Sequence, residues 1–267
     1  MNTIVHIVRQ GTRRVGYGLR SYFRSPDQVF FTFLFPVFML ALFSTIFGEL
    51  RFGPLPAIDA VQYYLPAMLA AGVLLSGVQN LAVDIANERS DGTLKRLGAT
   101  PLPAASYIIG KLGQALVTGI AQAVLVIAAG ALLGADLPTD PTAWLTFAWI
   151  FVLGILGCSL LGIALSRVPR SGRTATAVVI PIVLVLQFIS GVYIVFSQLP
   201  EWLQNVAALF PLKWMAQGMR AVFLPDAYAV MEPGEAWNLT GVDLVLAIWL
   251  VAGAVLARLS FRWSSKD

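Results

Sequence analysis

The side chains that could perform catalysis are few and widely separated in this sequence. Its single histidine is His6, its single cysteine is Cys158, and no acidic pair lies inside any of the long apolar segments. Chemistry on a membrane-embedded substrate usually needs an acidic pair, a metal site or a serine with its base. We therefore expect no catalytic role and no metal or cofactor bound by this chain.

A phosphate-binding loop of the Gly-x-x-x-x-Gly-Lys-Ser/Thr type is also missing from the sequence. The nearest match is Gly110-Lys111, which is followed by Leu112 and has Ala105 where the first glycine should stand. Because such a loop holds nucleotide phosphates and Mg²⁺, we expect the chain not to bind ATP itself. Asp84 ends an apolar segment, where an acid can be a proton site but more often pairs with an arginine or caps a helix.

The most distinctive string is residues 86–102, which read Ala-Asn-Glu-Arg-Ser-Asp-Gly-Thr-Leu-Lys-Arg-Leu-Gly-Ala-Thr-Pro-Leu. Ser90 or Asp91 can cap a short helix, and Leu94 and Leu97 would form its apolar edge. The string therefore predicts a short helix that inserts into a groove on another protein. The alternative is a solvated loop whose basic residues only fix the membrane topology.

Six apolar segments must position these residues. The uncharged runs are 28–48, 60–83, 112–135, 141–166, 174–200 and 244–257. About 20 apolar residues cross a hydrocarbon core of roughly 30 Å, so the first five runs suffice, and apolar flanking residues extend the sixth to 242–258. We predict an all-α polytopic membrane protein with six transmembrane helices in a single domain, the first five within residues 28–196.

The basic residues alternate along the chain. Fifteen of the 18 lysines and arginines lie at the two ends or on the second and fourth loops between runs. The positive-inside rule therefore predicts that both termini are cytoplasmic, with an even number of crossings. The sequence pI is about 9.4, but the charges follow the membrane borders instead of forming one domain, so we expect no nucleic-acid partner.

The segment 1–27 has the pattern of an amphipathic interface helix. One face carries apolar side chains, and the opposite face carries Arg9, Arg13, Arg20 and Arg24. Such a helix lies along the inner membrane surface and contacts anionic lipids. It is either a simple lipid anchor or a docking surface for a cytoplasmic partner.

The segment 197–241, between the fifth and sixth runs, mixes aromatic residues with several prolines. We expect short helices that dip into or lie on the outer leaflet, with a cap that only packs the spans as the alternative. Within the runs, the amides of Gln79, Asn80 and Gln187 are candidates for a substrate path. Intramembrane amides also bind helices to one another, and that alternative stays open.

The string 88–102 resembles the coupling loop in the permeases of ATP-binding cassette exporters of the second type, which reads Glu-Arg-x-x-Gly-Thr-Leu-Lys-Arg-Leu-x-x-Thr-Pro-Leu. The matching residues are Glu88, Arg89, Gly92, Thr93, Leu94, Lys95, Arg96, Leu97, Thr100, Pro101 and Leu102. The segment 210–220 is similar to a second stretch that precedes the last span in this family. The family also has an N-terminal interface helix and six spans, so the resemblance covers essentially the whole chain.

This resemblance implies a function and a set of partners. It implies a separate ATPase subunit that holds ATP and Mg²⁺ and contacts residues 88–97, here named the coupling segment. It also implies a second permease copy or a paralogue, membrane lipids around both, and a bacterial inner-membrane location. The implied activity is export of an amphiphilic drug-like or lipid-like substrate, with a polysaccharide or lipid-linked glycan as the alternative. An ATPase-independent secondary transporter or a membrane scaffold stays open, although the spans hold no carboxylate relay.

Overall fold

The structure, a computed structural model, describes residues 3–54 and 57–263. The first two residues of the predicted interface helix, and Lys266 among the C-terminal basic residues, lie outside the described residues. The described part of the chain is helical, and its only β contact is an isolated bridge between Phe52 and Ile58. The α-helices are α1 (Thr3–Tyr22), α2 (Pro26–Val29), α3 (Phe35–Ile46), α4 (Ala60–Leu74), α5 (Asn80–Ser90), α6 (Thr93–Gly98), α7 (Ala104–Leu132), α8 (Pro141–Leu165), α9 (Gly172–Ile189), α10 (Glu201–Ala207), α11 (Pro211–Phe223) and α12 (Leu239–Ser260).

Five of the described helices are long and apolar enough to cross a membrane. They are the continuous helix Ala60–Ser90, formed by α4, a π-helical turn and α5, together with α7, α8, α9 and α12. A sixth, shorter apolar helix spans Phe30–Ile46 and begins with a π-helical turn at Phe30–Leu34. The predicted all-α polytopic architecture is confirmed.

The helix ends differ from the ends of the uncharged runs in several places, and the second span, for example, continues past residue 83 to Ser90. The third span begins at Ala104 and so includes Lys111. This lysine is tolerated within the helix because Asp84 and Glu88 neutralise its charge. The fifth span ends at Ile189, well before residue 200, and the chain turns at Gly191 with a φ of +77°. This left-handed conformation suits glycine and stops the helix. The sixth span, Leu239–Ser260, extends beyond both ends of the predicted 242–258.

The second span is the centre of the bundle. Every residue of α4 is buried, which agrees with a sequence that is apolar around the whole helix. This span contacts α3, α7, α8 and α11. It also approaches α8 closely, since a Cβ added at Gly162 would contact the carbonyl oxygens of Gly77 and Val78. Small residues allow such close packing where lipid supplies no hydrophobic drive between helices.

The segment between the fifth and sixth spans is largely built into the bundle. Helix α11 is almost wholly buried and packs against α4, α8 and α12, whereas α10 is mostly exposed. Arg220 Nε donates to Glu232 Oε1 at 2.5 Å, and Arg220 Nη1 donates to the carbonyl oxygen of Gly191 at 3.3 Å. One helix of this segment therefore enters the space among the spans, held by a buried ion pair.

Two helix starts are set by side-chain caps that are visible in the sequence. Asp140 Oδ1 accepts a hydrogen bond from the Thr142 amide at 2.9 Å before α8. The hydrogen bonds from the Thr142 hydroxyl and amide lower the pKa of the Asp140 carboxyl. Ser171 and Thr174 form a capping box at the start of α9. Both caps satisfy backbone amides that have no partner within the helix.

We predict that Gly162→Ala lowers the stability of the protein by about 1–3 kcal/mol. The added methyl group would meet two backbone oxygens, which cannot move aside as a flexible side chain can. Thermal unfolding of the purified protein in detergent measures the effect. Gly16→Ala is the matched control, because a Cβ there meets nothing within 4 Å. Equal melting temperatures for the two variants would contradict this packing.

Candidate coupling site at the basic end of the bundle

One end of the bundle gathers most of the basic residues, and we call it the basic end. Here α1 packs along α7, and the ring of Tyr107 at the start of α7 stacks on Phe261 with centroids 5.2 Å apart. Gly98 of α6 lies against the Trp263 side chain. The N-terminal helix, the coupling segment and the residues after α12 therefore form one surface.

The coupling segment contains a short helix, as predicted. Helix α5 continues the second span to Ser90, the chain turns at Gly92 with a φ of +77°, and α6 follows. Asp91 Oδ1 accepts a hydrogen bond from the Thr93 amide at 2.8 Å, so Asp91 supplies the expected stabilisation of the helix start. Arg96 Nη2 donates to Thr93 Oγ1 at 2.9 Å and braces the same turn.

Lys111 is the centre of a buried polar cluster just inside this end. Its Nζ donates to Asp84 Oδ2 at 2.5 Å and to Glu88 Oε1 at 2.8 Å. The Tyr107 hydroxyl donates to Glu88 Oε2 at 2.5 Å. Asp84 is thus an ion-pair partner, but its partner is a lysine of the third span and not an arginine. The cluster, here named the Lys111 cluster, fixes α5 against α7.

Arg89 joins the coupling segment to a second loop. Its Nη1 donates to the Ser166 carbonyl oxygen at 2.8 Å, and its Nη2 donates to the Pro169 carbonyl oxygen at 2.6 Å. The rigid fork of a guanidinium suits two such acceptors. Glu88 and Arg89 therefore connect the end of the second span to the third span and to the loop after the fourth, respectively.

Leu94 and Leu97 of the coupling segment do not form the exposed apolar edge that was predicted to insert into a partner. Leu94 is only 2% exposed and belongs to this chain's own core, and Leu97 is partly buried against the same core. Leu94 therefore packs within this chain and does not project into a groove on a partner. The three-residue spacing of Leu94 and Leu97 predicts an apolar face, but it does not show whether the same chain or a partner covers that face. The outward surface of α6 instead presents Lys95, Arg96 and Gly98.

The N-terminal helix packs along the third span with a face rich in small residues. Gly11 lies against Ile109, Gly18 lies against Gln114, and the Ser106 hydroxyl donates to the Ile7 carbonyl oxygen at 3.0 Å. The four arginines singled out in the sequence, Arg9, Arg13, Arg20 and Arg24, are all exposed. The helix therefore presents a basic surface beside the coupling segment.

Two of the three candidate path residues share a cleft, and the third lies apart. Gln79 and Asn80 line a cavity of about 180 Å³ together with Phe31, Thr176 and Ile180. Asn80 Nδ2 also donates to Thr32 Oγ1 at 2.7 Å and so joins the first two spans.

Gln187 lies toward the other end of α9, about 16 Å along the helix from Thr176 at 1.5 Å per residue. It is buried, and its Oε1 accepts a hydrogen bond from the Tyr193 hydroxyl. Among the described residues, no three histidine, cysteine, aspartate or glutamate side chains lie close enough to hold a metal.

Sequence reasoning missed Lys111 and Tyr107 as members of the site. The available signal was a pair of helical repeats: Asp84 and Glu88 are four residues apart, and so are Tyr107 and Lys111. Residues four apart share a helix face, so two such faces of opposite charge at the ends of consecutive spans indicate a pairing. A lysine inside an otherwise apolar helix is costly unless it is paired.

These features define a polytopic membrane permease whose second span ends in a short amphipathic helix. The sequence profile described as ABC-2 family transporter protein matches residues 50–252, and the chain belongs to this family. It is a permease component of ABC-2 type transporters.

Several bacterial permeases are similar to this chain. The inner membrane transport permease YadH of Escherichia coli is 24% identical over 192 residues, which cover 71% of this chain and 74% of YadH. The probable multidrug ABC transporter permease YbhR of Escherichia coli is 26% identical over 186 residues, 69% of this chain and 50% of YbhR. The probable doxorubicin resistance permease protein DrrC of Mycobacterium tuberculosis is 22% identical over 219 residues, 82% of this chain and 78% of DrrC.

We predict that Lys111→Met destabilises the protein by about 3–5 kcal/mol, because it leaves two part-buried carboxylates without their cation. The combined variant Lys111→Met, Asp84→Asn and Glu88→Gln should recover much of this loss. Thermal unfolding in detergent measures both effects. Lys95→Met is the control, since Lys95 is exposed. A triple variant as unstable as Lys111→Met alone would show that the cluster does not act through charge pairing.

Proposed function

We propose that the chain is the membrane subunit of an ATP-driven exporter that moves an amphiphilic drug-like or lipid-like substrate out across the membrane. A separate ATP-binding cassette ATPase, which holds ATP and Mg²⁺, binds the basic end and drives the change between inward-facing and outward-facing states. Both termini and the coupling segment lie on the cytoplasmic side. A second copy of this chain, or a paralogue, completes the pathway.

The observation that carries the substrate assignment is the cleft between the first and fifth spans. Its walls are mainly apolar, with Phe31, Val83 and Ile180, and the amides of Gln28, Gln79 and Asn80 stand among them. A pocket with apolar walls and a few polar groups suits a small amphiphile. Gln79 makes no side-chain hydrogen bond with another described residue, so its amide is available to a ligand.

The surroundings of the cleft support entry from the membrane. Phe31, Ile182 and Val185 expose apolar side chains along the first and fifth spans. Such a surface contacts lipid or a second membrane subunit. The names of YbhR and DrrC, which refer to multidrug transport and doxorubicin resistance, support a substrate of this class. A polysaccharide or lipid-linked glycan remains the alternative substrate.

The coupling mechanism follows from how rigidly α6 is joined to the second span. Helix α5 continues that span, the Lys111 cluster holds α5 to the third span, and Arg89 holds it to the loop after the fourth. A displacement of α6 by the ATPase would therefore move the second span and its neighbours as one body. The exposed cations of α6 and α1 complement an acidic surface on the partner.

We predict that Lys95→Glu reduces capture of the ATPase subunit from native membranes at least tenfold, while the amount of inserted permease is unchanged. The Lys95 side chain is exposed and makes no hydrogen bond or ion pair with the described residues, so reversing its charge alters the surface and not the fold. Affinity purification in mild detergent, with mass spectrometry of partners, measures the capture. Arg258→Glu, on an exposed residue of α12, is the control. Unchanged capture by Lys95→Glu would refute this docking surface.

We predict that Gln79→Leu weakens stimulation of ATPase activity by an amphiphilic drug such as doxorubicin about fivefold, the effect of losing one hydrogen bond worth about 1 kcal/mol. Basal ATPase activity should be unchanged. The assay uses the permease and its ATPase partner reconstituted in lipid. Gln198→Leu, the same change on an exposed residue after the fifth span, is the control. Equal stimulation in the two variants would exclude Gln79 from the path, and stimulation by glycan-linked lipids alone would favour the alternative substrate.

A further inference from the structure

A second cavity, separate from the apolar cleft, opens at the basic end and is lined by arginines. It has a volume of about 190 Å³. Arg89 comes from α5, Arg167 and Arg170 come from the loop between α8 and α9, and Arg262 follows α12. Four arginines from three distant parts of the sequence therefore line one space, here named the arginine cavity.

Three of these arginines, Arg89, Arg167 and Arg170, have no acidic side chain paired with them among the described residues. Asp84 and Glu88 of α5 already pair with Lys111, and Asp91 accepts the hydrogen bond from the Thr93 amide at the start of α6. Clustered cations repel one another unless an anion joins them, so this arrangement favours a bound anion.

The arginines are held in place by hydrogen bonds to backbone. Arg89 binds the carbonyl oxygens of Ser166 and Pro169, which fixes the loop that carries Arg167 and Arg170. Arg167 Nη1 donates to the Ser260 carbonyl oxygen at 2.8 Å, which joins the loop to the end of α12. Arg170 is exposed and makes no hydrogen bond with the described residues, so its whole guanidinium is available to a ligand.

The remaining walls indicate what kind of anion fits. Ile85, Leu94 and Phe261 line the same cavity and give it an apolar side. Guanidinium groups bind phosphate oxygens in pairs, and an apolar wall beside them suits the glycerol and upper acyl chain of a phospholipid. The cavity also lies at the ends of α5, α8 and α12, and the ends of spans are where a membrane protein contacts lipid headgroups.

We infer that the arginine cavity binds the phosphate group of an anionic phospholipid from the leaflet at the basic end. Because Leu94 forms part of the wall, a bound lipid would contact the inner side of α6. The lipid would thereby stabilise one position of the coupling segment. This site does not depend on the identity of the exported substrate.

The test is native mass spectrometry of the full-length chain titrated with phosphatidylglycerol or with net-neutral phosphatidylcholine in detergent. The variants are Arg170→Gln and the double variant Arg167→Gln, Arg170→Gln. Arg173→Gln is the matched control, because Arg173 is an exposed arginine of the same region that does not line the cavity. We expect the control to bind phosphatidylglycerol like the wild type, Arg170→Gln to bind about tenfold more weakly, and the double variant more weakly still. Melting temperatures in detergent confirm that the variants are folded.

A parallel titration with inorganic phosphate separates the two sources of the phosphate group. One outcome is that phosphate raises the melting temperature of the wild type but not of Arg170→Gln, while phosphatidylglycerol binds no better than phosphatidylcholine. The arginine cavity is then a phosphate site whose ligand is a soluble phosphate and not a lipid. An equal loss in Arg170→Gln and Arg173→Gln would indicate general surface charge and overturn the inference. Unchanged lipid and phosphate binding in the double variant would also overturn it.

Discussion

The ion pair between a buried lysine and two carboxylates determines how the basic end is built. Lys111 lies inside the third span, where an unpaired charge would be costly. Asp84 and Glu88 reach it from one face of α5, and Tyr107 satisfies the other oxygen of Glu88. This requirement places the end of the second span against the start of the third. The turn, α6 and Arg89 then follow at fixed positions, and so do the basic surface and the arginine cavity.

The second span connects this end to the opposite one. Near its start, Gln62 Nε2 donates to the Phe223 carbonyl oxygen at 2.6 Å, and Gln62 Oε1 accepts from the Asp136 amide at 2.7 Å. The same continuous helix therefore touches the end of α11, the loop after the third span and, at its other end, the coupling segment. A buried helix with fixed partners at both ends can transmit a displacement as a rigid body.

Much of this fold could be predicted from the sequence, because length, apolar composition and alternating charge are direct consequences of a lipid solvent. The string 88–102 also indicated its helix and its family. The Lys111 cluster could not be located from those patterns, since its partners lie 23 and 27 residues away. The spacing of Leu94 and Leu97 shows an apolar face, but only tertiary contacts show that Leu94 packs inside its own chain. The end of the fifth span at Ile189 depends on the turn at Gly191, which hydropathy does not register.

We propose that the outer surface of α6 contacts an ATPase subunit. A photo-crosslinking amino acid at the position of Lys95, activated in native membranes, tests this contact most directly, with the same group at the position of Gln198 as the reference. We expect an ATP-binding cassette ATPase to be crosslinked from position 95 and not from position 198. Crosslinks from position 95 to lipid alone, in membranes that contain the ATPase, would contradict it.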